Sequence, residues 1–98
     1  MNLRFTLRAR ADAERVMTWW RRNRPAAPDA FEHELNSTLE RIRRSPRLGI
    51  LYEQGDLEAP VRRALMAKTT HHLYYTLDAD DVVVLSIWGA QRGRVPTL

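Results

Sequence analysis

Cysteine is absent from this 98-residue chain, which excludes disulfide scaffolds and thiolate metal sites. Lysine is nearly absent: Lys68 is the single lysine among sixteen basic residues, and the rest are arginines. No apolar run approaches the ~18 residues of a membrane span, and Met1–Phe5 offers no apolar signal segment. A cytoplasmic protein with no membrane partner is expected. The chain also lacks a glycine loop able to cradle phosphate, since Gly89 to Gly93 is short and follows the last expected strand. Ser37, Ser45 and Ser86 have no G-x-S-x-G context, so a serine nucleophile has no setting. The three histidines are His33, His71 and His72. Neighbours on a strand point to opposite faces, so His71 and His72 cannot share an ion. No metal and no cofactor are expected.

What remains is one domain spanning residues 1–98, with 44% hydrophobic and 29% charged residues. The formal charge is +4, carried on arginine forks that match carboxylates and phosphates in two-pronged fashion. An acidic partner, protein or nucleic acid, suits such a surface.

The periodicity gives a coarse order. Leu3, Phe5 and Leu7 alternate with Arg4 and Thr6, as in a strand with one buried face. A helix is expected from about Asp12, whose carboxylate would cap it. Ala13, Val16, Met17 and Trp20 form its apolar stripe, and Pro25 ends it. Asp29 followed by Glu32 predicts a capping box for a second helix. Phe31, Leu35, Leu39 and Ile42 form that helix's stripe, and Ser45-Pro46 closes it. Residues 47–60 read mostly as loop, with Leu48, Ile50, Leu51 and Tyr52 tucked onto the core. Strands are expected over 61–68, 73–77 and 82–88, the last apolar on both faces and therefore central. The fold class is α+β in the order β-α-α-β-β-β: a helical hairpin packed on one face of a small, mainly antiparallel sheet.

The chemistry-bearing residues gather on the other face. His72 and Tyr74 share one side of their strand, together with one of Arg62 and Arg63, and with Arg92 and Arg94 at the edge. Arg, His and Tyr can hold a phosphodiester and move protons without metal. On the first helix Trp20 fits the buried stripe, while Trp19 falls at its border, where a half-exposed tryptophan beside arginines could anchor a partner.

Several segments, taken in order, resemble a known family. In the second half they are Val61-Arg62-Arg63, Lys68-Thr69-Thr70-His71-His72-Leu73-Tyr74-Tyr75, Val83 through Trp88-Gly89-Ala90, and Arg92-Gly93-Arg94-Val95-Pro96. In the first half they are Ala11-Asp12-Ala13-Glu14-Arg15, Trp19-Trp20, Asn23-Arg24-Pro25, Ala27-Pro28, Phe31, Glu34-Leu35, Ser45-Pro46 and Gly49. Together they resemble the RelE/ParE toxin superfamily over nearly the whole chain, and that family's fold is the order derived above. The resemblance implies a cytoplasmic bacterial toxin of a type II toxin–antitoxin system, neutralised by a cognate antitoxin.

The superfamily's activities diverge. RelE-like members cleave mRNA on the ribosome, whereas ParE-like members are associated with inhibiting DNA gyrase. Aligned on Leu73-Tyr74-Tyr75, the RelE catalytic arginine falls at His72, one RelE lysine at Arg63 and another at apolar Leu65. Arg92 is present, but no tyrosine follows it. The tryptophan pair and the ending from Trp88 look ParE-like. The resemblance therefore implies a ParE-like gyrase inhibitor, more a binder than an enzyme, with Trp19, Arg62, Arg63, His72, Tyr74, Trp88, Arg92 and Arg94 as target- or antitoxin-binding residues. The alternative is a metal-independent, ribosome-dependent endoribonuclease using Arg63, His72 and Arg92. A further alternative is a non-toxic antitoxin-binding or nucleic-acid-binding module.

Overall fold

In the computed structural model, which describes residues 1–52 and 59–90, seven elements follow one another. They are β1 (Asn2–Phe5), α1 (Leu7–Asn23), α2 (Ala30–Arg44), β2 (Ile50–Tyr52), β3 (Val61–Met66), β4 (His71–Asp78) and β5 (Asp81–Gly89). They build one five-stranded sheet in the order β1-β5-β4-β3-β2. β1 runs parallel to β5, and every other pair is antiparallel. The expected α+β architecture holds, with one strand added.

That added strand corrects the loop expected over 47–60. Ile50, Leu51 and Tyr52 pair with Arg63, Arg62 and Val61. Leu48, Ile50 and Leu51 do not tuck onto the core but stand exposed. At three residues the strand is too short to bury a face of its own.

The start of α1 also differs from expectation. Thr6 caps it, accepting from the Ala9 amide at 3.0 Å while donating to the Leu85 carbonyl at 3.2 Å. Arg8, Ala9, Arg10 and Ala11 are good helix formers, so the helix begins straight out of β1. Asp12 thus lies inside α1, buried, and caps something else. Its Oδ2 accepts from Ser86 Oγ at 2.9 Å and from the Ile87 amide at 3.0 Å. The β1 pairing ends at Val84, so the Ile87 amide lies beyond that strand's reach. Asp12 satisfies a donor that would otherwise be a buried orphan. The capping box at α2 does not form either. Asp29 occupies the N-cap position without a side-chain cap bond, and both Asp29 and Glu32 face Arg21 of α1, at 3.7 and 3.4 Å.

The helical stripes lie where the periodicity puts them. Ala13 and Val16 of α1, with Phe31, Leu35, Leu39 and Ile42 of α2, are buried against Leu73, Tyr75, Val82, Val84 and Ile87. Met17 and Trp20 pack at the border of this core.

Glu34 of α2 fastens the β3–β4 turn. Its carboxylate accepts from the Lys68 amide at 2.8 Å, the Thr69 amide at 2.9 Å and Thr69 Oγ1 at 2.6 Å. Burial pushes this carboxyl up, but the Thr69 hydroxyl, the two amides and the Lys68 charge outweigh it and hold the group below 4.5. A carboxyl depressed on folding adds stability that is present above its unfolded value and lost as pH falls through the folded one. Glu34→Gln should therefore lower the melting temperature at neutral pH and by less near pH 3. Thermal melts across that range read the difference, and a Glu34→Gln deficit that stays constant with pH would contradict this role.

Candidate functional site

Strand register sorts the expected surface residues. Arg63 lies opposite Tyr74, Leu65 opposite His72, and His72 opposite Trp88. Directly paired residues share a face, so Arg63, Leu65, His72, Tyr74 and Trp88 fall on the face away from the helices. Arg62 takes the other side, where its Nη1 donates to the Gly49 carbonyl at 2.8 Å. The choice left open between Arg62 and Arg63 is thereby made. Arg92 and Arg94 lie outside the described residues.

This face is not simply solvated. Tyr74 is 1% exposed, with the Tyr52 ring edge-on at 5.0 Å and the His72 ring at 6.2 Å. The Arg63 guanidinium sits 5.9 Å from the Tyr52 ring centre, within cation–π range. Tyr52 is the member that the sequence reading did not place here, because its segment read as loop. Its period-2 spacing from Ile50 was the available signal. Leu65, 54% exposed, presents an apolar side chain next to His72.

The electrostatics follow from this packing. Burial, helped by the Arg63 charge, lowers the His72 pKa from its ordinary value and so favours the neutral imidazole. Burial raises the Tyr74 phenol above 10; Arg63 opposes that shift and Tyr52 adds to it. Among the described residues the face therefore offers an imidazole biased to its neutral form, a phenol biased to keep its proton, and two permanent cations: Arg63 and, on the edge strand β1, Arg4, which pairs with Asp78 at 2.9 Å. Among the described residues, Arg63 is the only arginine or lysine that β2–β5 place there. No grouping of three or more His, Cys, Asp or Glu among the described residues could hold a metal ion.

A second cluster lies at the C-terminal half of α1. Trp19 is 46% exposed, edge-on to Trp20 at 5.8 Å, with the Arg24 guanidinium 5.1 Å from its ring centre. The division of labour between the two tryptophans is the one that the helical stripe predicts. The Asn23 Nδ2 donates to the Trp19 carbonyl at 2.9 Å, which holds this last turn.

Comparison with known proteins identifies the family and the fold. The sequence profile of the ParE toxin of type II toxin–antitoxin systems, parDE, matches residues 3–93. The chain belongs to the ParE toxin family. Among solved structures, this ParE-family chain is similar to the chromosomal ParDE toxin–antitoxin system from P. aeruginosa. That likeness has a TM-score of 0.74 at 13% identity and covers 93% of this chain and 97% of that one. It is also similar to the isolated E. coli RelE toxin, with a TM-score of 0.58 at 21% identity, over 94% and 86% of the two chains. The intact E. coli RelBE toxin–antitoxin complex gives a TM-score of 0.57 at 20% identity, over 93% and 98%. No curated protein matches in sequence. The ParE-family assignment rests on the profile, and the structural likenesses add the shared RelE/ParE fold. No helix among the described residues is long and apolar enough to cross a membrane.

Proposed function

We propose that this ParE-family toxin acts in the bacterial cytoplasm by binding and inhibiting DNA gyrase, and that a cognate antitoxin holds it inactive. The observation that carries the reading is the makeup of the helix-free face. Metal-free cleavage of a phosphodiester needs several positioned charges where negative charge develops. Here β2–β5 supply Arg63 alone among the described residues, beside exposed Leu65 and a tyrosine that is buried. Arg4 of β1 shares the face but is ion-paired with Asp78, and an apolar and aromatic surface with so little free charge among its described residues suits protein recognition.

Expressing the toxin alone in bacteria tests the target. Plasmid supercoiling should change and the DNA-damage response should rise within the period of growth arrest. Unchanged supercoiling with rapid mRNA cleavage at ribosomes would overturn the reading.

One constellation favours a second reading, a ribosome-dependent ribonuclease. Arg63, His72 and Tyr74 do converge, and Arg92 would complete the set. If His72 is a general acid or base, His72→Ala should reduce mRNA cleavage about 100-fold or more. Under the gyrase reading neither wild type nor this variant cleaves mRNA, and any loss of effect appears in supercoiling instead.

A further inference from the structure

Several arginines of this chain are ion-paired: Arg4 with Asp78, Arg15 with Asp12, Arg21 with Glu32 and Arg43 with Glu40. At the end of α2 the pattern changes. Arg41, Arg44 and Arg47 stand exposed, and among the described residues no carboxylate pairs with any of them. Arg44 reaches only the Glu40 carbonyl, at 3.5 Å. Between positions 41 and 47 the exposed side chains are arginines and Ser45, with Ile42 buried and Pro46 half-buried.

Arg41 and Arg44 lie three residues apart on a helix, so they are neighbours on one face. Cations in a last turn answer the negative end of the helix dipole, which accounts for these two but not for Arg47, beyond the helix. The connection that carries Arg47 is held from below. The Tyr75 hydroxyl donates to the Pro46 carbonyl at 2.8 Å and accepts from the Gly49 amide at 2.9 Å. Arg62 Nη1 donates to the Gly49 carbonyl at 2.8 Å and to the Arg47 carbonyl at 3.4 Å. The three cations therefore stand on a backbone that is ordered before anything binds, which spares a ligand that cost.

We propose that this arginine ridge binds the phosphate backbone of duplex DNA. Guanidinium forks take phosphate oxygens two at a time. Unpaired cations with no apolar anchor among them match interfaces with nucleic acid, which are more polar and more positive than those between proteins. A second copy of this chain is a poor occupant, because it carries the same +4 charge. A hollow of about 350 Å³, bordered by Arg41 and by Leu65 of β3, joins the ridge to the helix-free face. Gyrase works on duplex DNA, so protein on that face and phosphate on the ridge can be met together. The inference rests on the gyrase reading for the choice of DNA over RNA, and not for the phosphate contact itself.

The full-length toxin is titrated into a short fluorescent DNA duplex at several salt concentrations. Wild type should bind with an affinity that falls steeply with salt. Arg41→Gln, Arg44→Gln and Arg47→Gln should each lower the slope of log affinity against log salt by about 1, and the triple variant should bind about 10-fold or more weakly. Arg22→Gln removes the same charge from an exposed position at the other end of the helical hairpin and should leave the slope unchanged. Thermal melts confirm that each variant is folded.

No DNA binding by wild type at low salt would overturn the assignment, as would a loss in Arg22→Gln equal to that of the ridge variants. Polyglutamate competing as well as unlabelled duplex would make the ridge an acidic-protein site, and tighter binding of duplex RNA through the same arginines would make it an RNA site; either result overturns the proposal. Supercoiling reads the gyrase target separately. If the toxin alters supercoiling without binding DNA, the ridge assignment falls and the gyrase reading stands. If wild type binds DNA through the ridge while supercoiling is unchanged, the gyrase reading falls and the phosphate contact stands.

Discussion

Asp12→Ala is expected to lower the stability of the protein by about 3 kcal/mol, a large share of the ~5–15 kcal/mol that a domain possesses. Asp12 is 6% exposed, and its carboxylate serves Ser86 Oγ, the Ile87 amide and Arg15 together. Alanine removes the acceptor and leaves a buried hydroxyl and a buried amide without it. Each such loss costs about 1–3 kcal/mol. Ser86→Ala should cost less, because Asp12 keeps its other partners. Asp12→Asn should fall between, since the amide retains one acceptor oxygen but loses the charge. Urea unfolding checks the series through the midpoint, provided that the slope is unchanged. An unfolding free energy for Asp12→Ala within about 0.5 kcal/mol of wild type would show that water can replace the carboxylate there.

The second large effect is expected at Gly49. A Cβ at this position would lie 2.9 Å from both Cε1 and the hydroxyl of Tyr75, and 3.0 Å from the Arg63 carbonyl oxygen. Neither neighbour yields easily. Tyr75 is fully buried, and its hydroxyl accepts from the Gly49 amide at 2.9 Å while donating to the Pro46 carbonyl at 2.8 Å. Gly49→Ala must break that bridge or move the strand edge, at a cost of about 2–4 kcal/mol from overpacking and lost hydrogen bonding. Tyr75→Phe keeps the ring but strands the Gly49 amide, for about 1–2 kcal/mol. The two changes share one contact, so the double variant should be less destabilised than the separate effects added together. Strict additivity in denaturant unfolding would contradict the bridge.

These two sites mark where sequence reasoning succeeds and where it stops. The stripe Phe31, Leu35, Leu39 and Ile42 was legible because helical periodicity writes burial directly into residue type. The run from Val82 was legible as a central strand because both its faces are apolar. Asp12 resembles a cap in sequence, because a short carboxylate near a helix start is the usual cap residue. Its true partners, Ser86 and Ile87, are more than seventy residues away, and no local pattern contains them. The β2 strand was missed because its stability comes from pairing with β3 and not from its own three side chains.

The candidate surface was half legible in the same sense. Alternation placed His72 and Tyr74 on one face, but only register could assign Arg63 to that face and Arg62 to the Gly49 carbonyl. Tyr52 entered with the strand that carries it. Trp19 was the cleanest case, since helix geometry alone put it at the border of the buried stripe.

The parallel pairing of β1 with β5 has a consequence in time. β5 is the strand on which β1 and α1 both rest, yet a ribosome makes it last of all the described elements. Until residue 89 is free, β1 has no partner, Asp12 has no amide to hold and the helical hairpin has only part of a sheet to cover. Contacts so distant in sequence form slowly and late. A nascent chain that stops before β5 therefore lacks both the strand that joins β1 to the sheet and the amide that Asp12 holds, so the fold closes only as synthesis ends.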